Sequence, residues 1–143
     1  MGKSNMEERE RENFLAAPRI GVISINRISV NSPLATPVWY NYVPGGDVTV
    51  LMGRESVKYQ LILASGGFTL TAQNEQYPYG YVSVSGGATV DDSPNPDEIL
   101  ALARRYRPEP EARQFAEAHT NMSEEVLVRM RPKIWFSQDY TKS

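Results

Sequence analysis

The stretch MGRESVK, residues 52–58, brings an arginine, a serine and a lysine close together where one type of pattern gives way to another. Apolar alternation ends at Met52, Gly53 permits a sharp exit, and 54–64 (RESVKYQLILA) has the composition of a helix. Arg54, Ser56 and Lys58 then fall in its first turns. The unpaired amides of a helix start, one hydroxyl and two cations make a clamp for a phosphate. An ordinary capped helix with solvated charges has the same spacing, so the stretch alone leaves both readings open.

The residues just before it bear on the choice. In PVWYNYV, 37–43, Val38, Tyr40 and Tyr42 share one face of an extended chain, and Trp39, Asn41 and Val43 share the other. A barrel buries one such face as core. A planar ligand lying along the strand, with its phosphate at the next helix, would use the same geometry.

Little else in the chain could do chemistry. The single histidine, His119, falls near the end of a short helical stretch, where it reads as a helix C-terminal cation or a surface residue. Asp91 and Asp92 precede Ser93-Pro94 and read as a turn rather than a metal site; no metal site is expected. Asn121-Met122-Ser123 matches a glycosylation acceptor, without a secretory signal to give it meaning. Gly2 would suit myristoylation, but Met6 stands where that signal wants Ser or Thr. There is no HExxH, GxSxG, Walker or dinucleotide-binding pattern. With no cysteine, disulfides, thiolate metal sites and Cys nucleophiles are excluded. Such a chain either binds something or borrows its reactivity from a cofactor.

Several elements must position these residues. Mixed charges over Glu7–Glu12, with Ser4 and Glu7 at capping-box spacing, predict a helix closed by Pro18. Ile20–Ile25 reads as a buried strand. Pro37–Val43 and Val48–Met52 flank Pro44-Gly45-Gly46-Asp47, a hairpin signal. Phe68–Gln73 alternates, as does Tyr81–Val90 up to Gly86-Gly87, which reads as a bulge. Val126–Phe136 forms a last extended stretch bent at Pro132. Asn95-Pro96-Asp97-Glu98 opens a helix with its stripe on Ile99, Leu102, Ala103 and Tyr106, and Ala112, Phe115 and Ala116 mark a second. About six strands without alternating helices fit a small antiparallel barrel.

The 143 residues are enough for one core, and a formal net charge of −2 argues against general nucleic-acid binding. The first residues carry no apolar signal core and no segment reaches membrane-spanning length, so the expectation is a cytoplasmic protein with neither nucleic-acid nor membrane partners.

In register, FLAAPRIGVISI, PLATPVWYNY, VTVLMGRESVK, YPYGYVSVSGGATV and VRMRPKIWFSQDY, together spanning about residues 13 to 142, resemble one family. This is the pyridoxamine 5′-phosphate oxidase-like split-barrel family, in its flavin/deazaflavin-dependent oxidoreductase branch. The resemblance implies a mainly β (α+β) fold: a six-stranded antiparallel split β-barrel with short flanking helices, homodimeric, with FMN or the deazaflavin F420 at the subunit interface. It divides the chain into a helical extension, 1–12, and a flavin/deazaflavin-binding barrel domain, 13–143. It implies that Arg54, Ser56 and Lys58 hold the cofactor's phosphate and that Thr36, Pro37, Val38 and Trp39 lie along its ring system. Gln73 would border the cofactor, and Trp135 and Ser137 would reach it from a partner subunit. The chain departs from the family where relatives commonly read S-R-K, having Ser56-Val57-Lys58, and where an Arg-Asn pair is frequent, having Gln60-Leu61.

The expected function is hydride transfer between F420, or FMN, and a small organic acceptor. No obligatory base is singled out; Tyr40, Tyr79 and Tyr81 are the candidate proton donors. The alternatives are a non-catalytic binding protein for a flavin, haem or related tetrapyrrole, and a cofactor-free dimer that keeps the barrel as a scaffold.

Overall fold

The computed structural model describes residues 4–119 and 124–142; Gly2 and the triplet 121–123 lie outside the described residues. Helix α1, Glu8–Ala16, begins after Glu7, whose amide donates to the Glu10 carboxylate at 3.3 Å. The expected cap at Ser4 is not used, because the Ser4 hydroxyl bonds to Gln138 instead. The boundary drawn after residue 12 falls inside α1, which carries Leu15 fully into the core.

Strands β1 (Gly21–Ile25), β2 (Leu34–Val38) and β3 (Val48–Gly53) follow, then helix α2 (Val57–Ser65) and strands β4 (Gly67–Asn74) and β5 (Gly80–Asp91). Helices α3 (Pro96–Arg104) and α4 (Glu111–Ala118) lead to β6 (Glu125–Met130) and β7 (Ile134–Asp139). The strands are antiparallel in the order β2-β1-β4-β5-β6-β3, with β7 also paired to β5. The six-strand path closes on itself through one bridge, where Asn41 and Thr49 exchange backbone bonds of 3.0 and 2.9 Å. This is a split barrel. The last extended stretch is divided at Arg131-Pro132-Lys133 into β6 and β7, which accounts for a strand beyond the six expected.

Two sequence expectations need correction. The run 37–43 meets β3 across its turn only at the Asn41–Thr49 bridge and not along a full hairpin ladder: β2 ends at Val38 and pairs with β1, and Pro44-Gly45-Gly46-Asp47 closes a turn by a Gly46 N–H to Val43 carbonyl bond of 2.8 Å. Trp39 leaves the ladder because it is sandwiched by Tyr106 and Phe115, at ring separations of 4.9 and 5.0 Å. Gly86-Gly87 is no bulge either. The β4–β5 ladder runs unbroken from Gly67↔Gly87 to Asn74↔Gly80, and β5 passes to β6 at Ala88↔Met130. Gly86 and Gly67 are needed because the Arg131 carbonyl lies against Gly86 and the Gly86 carbonyl against Gly67, leaving no room for a Cβ at either.

Inward residues of β1, β3, β4, β5 and β6 form the core, among them Ile23, Val50, Leu70, Val84 and Val128, with half-buried Val38 of β2 packed against it. On the outer side, α3 and α4 bury Ile99, Leu102, Ala103, Ala112 and Ala116, with Leu127 of β6 buried beneath that layer. Arg105 ties the layer to the barrel by donating to the carbonyls of Ala16 and Ala17, at 2.7 and 3.2 Å, while its guanidinium lies over the Tyr40 ring.

Tyr40 is fully buried and its hydroxyl donates to the Leu15 carbonyl at 2.7 Å. Burial, reinforced by neighbouring Tyr106, pushes the phenol up to about 12. An unfolded tyrosine ionises near pH 10. Between those values the folded chain holds a proton that the unfolded chain has lost, so stability is intact below about pH 10 and falls as pH rises towards 12. Denaturant titrations from pH 9 to 11.5 should show this decline, and Tyr40→Phe should remove part of it.

Candidate functional site

A groove of about 460 Å³ opens where β2 and β3 end beside α2. Its floor is Leu51, Met52 and Gly53 of β3, and one side is Pro37, Val38 and Trp39 at the end of β2. Lys58, in the first turn of α2, closes a second side. The α3–α4 layer supplies Leu102, Arg107, Phe115 and His119, and Glu125 enters from β6, where it pairs with Gly53. The structure therefore gathers Pro37, Val38, Trp39 and Lys58 around one space.

The remaining expected residues go elsewhere. Arg54 and Ser56 face an adjoining hollow of about 690 Å³, which shares only Gly53 with the groove. The Arg54 guanidinium lies 3.0 Å from the Asp92 carboxylate. Ser56 is the N-cap of α2: its hydroxyl donates to the Gly53 carbonyl at 2.8 Å and accepts from the Tyr59 amide at 3.2 Å. With its one proton and an acceptor site engaged, this hydroxyl cannot also donate to a phosphate unless the cap opens. Lys58 makes no side-chain hydrogen bond or ion pair among the described residues. Of the three clamp residues, it is the uncommitted cation.

Thr36 pairs with Ile23 inside the β1–β2 ladder and does not line the groove. Gln73 is exposed and paired with Tyr81. Trp135 and Ser137 lie on β7 under the chain's own N-terminal segment. The Arg11 guanidinium sits 4.7 Å over the Trp135 ring, Tyr42 meets that ring edge-on, and the Met6 amide donates to the Ser137 hydroxyl at 3.1 Å. Of the tyrosines, Tyr40 is locked in the core, Tyr79 packs edge-on against Tyr77 and Tyr81 stacks on Phe136; none lines the groove. Asp91 does form the expected turn, accepting from the Ser93 amide at 2.9 Å, and it also pairs with Arg129 at 2.6 Å.

The polar and aromatic groove residues not picked out from the sequence as site residues are Arg107, Phe115, His119 and Glu125. His119 does cap its helix, because its Nδ1 lies 2.8 Å from the Phe115 carbonyl, satisfying one of the carbonyls a helix end leaves open. The same placement stacks its ring on Phe115 at 4.0 Å and turns Nε2 towards Glu125 Oε1, 3.8 Å away. Burial holds the Glu125 carboxyl above the usual carboxylate range, with His119 opposing that effect and Glu124 adding to it. The i, i+4 spacing of Phe115 and His119 is the only trace of this cluster in the sequence; Glu125 reads there simply as a strand start.

The groove thus offers cations at Lys58 and Arg107, an aromatic side and an apolar floor. The donor set fits a flat molecule with an anionic tail.

No protein-family model matches the chain, and no curated protein matches it by sequence. Solved structures do match. A conserved hypothetical protein from Mycobacterium tuberculosis superposes with a TM-score of 0.78 at 19% identity, over 99% of this chain and 90% of that one. A structure named F420 reductase gives 0.70 at 21%, over 87% and 94%. A protein from Listeria innocua, provisionally named a pyridoxamine 5′-phosphate oxidase, gives 0.66 at 10%, over 91% and 96%. The likeness is one of fold: the chain shares the architecture of these structures. Among the described residues no helix is long and apolar enough to cross a membrane.

Proposed function

We propose that this chain is a flavin- or deazaflavin-dependent oxidoreductase, moving a hydride between F420, or FMN, and a small organic acceptor. The observation that carries the reading is the groove itself: an uncommitted lysine at a helix start faces a strand end, Pro37–Trp39, across an apolar floor. Lys58 and the α2 amides would hold the phosphate, and the 37–39 backbone would lie beside the ring system. When bound, the cofactor supplies the two-electron chemistry that the side chains lack. Leu51, Met52 and Leu102 would exclude water from it. The name F420 reductase on a chain of the same fold supports this choice. The test is a paired titration with FMN and F420, followed by fluorescence quenching. Binding of either below the high-micromolar range is expected, and failure of both sinks the reading.

A second reading is a protein that holds a flavin, haem or related tetrapyrrole without turning it over. The engagement of Arg54 with Asp92 and of Ser56 in its cap favours it, because both weaken the phosphate clamp. It predicts ligand retention with no reductase activity across a panel of acceptors.

We also propose a homodimer. The aromatic stretch around Val38–Tyr42 offers little surface for it, since Tyr40 and Tyr42 are buried. The support that remains is on β7, where Ile134 and Phe136 are 66% and 60% exposed. In register, Phe136 continues a row through Ser83, Thr71 and Val22 across the sheet's outer face. Light scattering should give twice the chain mass, and Phe136→Asp should lower it towards the monomer. A wild-type monomer at tens of micromolar would rule the dimer out.

A further inference from the structure

The His119–Glu125 pair has a proton to account for. A backbone carbonyl can only accept, so His119 Nδ1 carries a hydrogen to donate to the Phe115 carbonyl at 2.8 Å. In the neutral ring, Nε2 is then bare, and it faces a carboxylate oxygen at 3.8 Å. That distance is too long for a direct hydrogen bond but within ion-pair range. Two lone-pair atoms facing each other repel, whereas a proton on the ring or on the carboxyl makes the contact attractive. Glu125 Oε2, on the other side, is buried and has no hydrogen-bond partner among the described residues. The other charges near the pair come from three directions: Lys58 from α2 and Arg107 beyond α3 line the groove, and Glu124, next to Glu125, lines the adjoining hollow.

We infer that His119 is the proton donor of the groove and that Glu125 is the positioning residue that keeps a proton available to it. This rests on the hydride-transfer reading above. With cyclohexenone as probe acceptor, a hydride leaves the reduced flavin or deazaflavin and forms a C–H bond at the β-carbon. The alkene π pair moves to the α-carbon, which takes the proton from His119 Nε2. The imidazolium becomes a neutral ring, and a solvent proton restores it.

His119 is the only histidine in the chain, so its ring protons can be followed by NMR in the whole protein without any cofactor. The expected result is that their shift records a second inflection from Glu125, absent in Glu125→Gln and restored in Glu125→Asp. A His119 resonance blind to Glu125 overturns the inference whatever binds in the groove. In the loaded protein, His119→Gln should retain FMN or F420 affinity within about threefold, yet reduce cyclohexenone about a hundredfold more slowly and with a flattened pH profile. Normal loading with an unchanged rate and pH profile overturns the pair and leaves the oxidoreductase reading standing. Failure of the wild type to load either cofactor sinks that reading instead, and the catalytic role with it.

Discussion

Lys58→Ala should weaken binding of FMN or F420 by about tenfold to a hundredfold, read by fluorescence quenching. A charge-assisted contact to phosphate contributes about 1.5–3 kcal/mol, and each 1.4 kcal/mol is about a tenfold change in affinity. The expectation is specific to Lys58 because the structure separates the three residues that the sequence groups together. Arg54→Ala, in the adjoining hollow and already 3.0 Å from Asp92, should change affinity less than about threefold. Equal losses in the two variants would place the phosphate between the groove and the hollow, within reach of both residues. A loss in Arg54→Ala alone would remove the groove from consideration.

The largest expected effect on stability lies far from the groove, at Gly86. Its neighbours leave no space for a methyl group: an ideal Cβ there runs into the Arg131 carbonyl, which is backbone and cannot swing aside. Gly86→Ala must therefore push β5 away from the β6–β7 connection, at a cost of about 3 kcal/mol or more. For a chain of this size that lowers the thermal midpoint by about 10 °C. The adjacent glycine is the control. A Cβ at Gly87 meets only the Gly66 carbonyl, at an ordinary 3.8 Å, so Gly87→Ala should cost less than about 1 kcal/mol. Calorimetry of the two variants separates a close-approach glycine from one tolerated by habit. Equal midpoints would show that the corner between the sheets yields freely.

The barrel was legible in the sequence because its strands have the right period. Val48, Val50 and Met52 alternate inward as β3, and Phe68, Leu70 and Ala72 do so as β4. Helix α3 was legible from its cap, Asn95, whereas α2 was legible as a helix from residue 54 but begins at Val57, because Ser56 caps it instead of lying in its first turn. The partner of β2 was not, because turn chemistry at Pro44–Asp47 is local whereas the β1–β2 ladder and the clamping of Trp39 by Tyr106 and Phe115 are tertiary. Part of the groove followed from the sequence: Pro37, Val38, Trp39 and Lys58 border one strand–helix junction. His119 and Glu125 did not, since a helix end meets a strand end there only once β6 has paired with β3. Trp135 and Ser137 carry family resemblance, but their neighbours within this chain are set by residues such as Met6 and Arg11 in the N-terminal segment, which no local pattern connects to β7.

Strand β5 is a single unbroken run of 12 residues that bonds β4 and β7 along its first half and β6 along its second. Neither sheet can peel away without breaking the same segment, so the two should melt as one cooperative body. Amide protons of Val82, Val84 and Val90 should then exchange with solvent at a common rate set by complete unfolding, while those of α4, held only at the rim, exchange through smaller openings. The walls of the groove would thus differ in kind: a rigid floor on β3, and a helical side able to part and admit a ligand while the barrel stays intact.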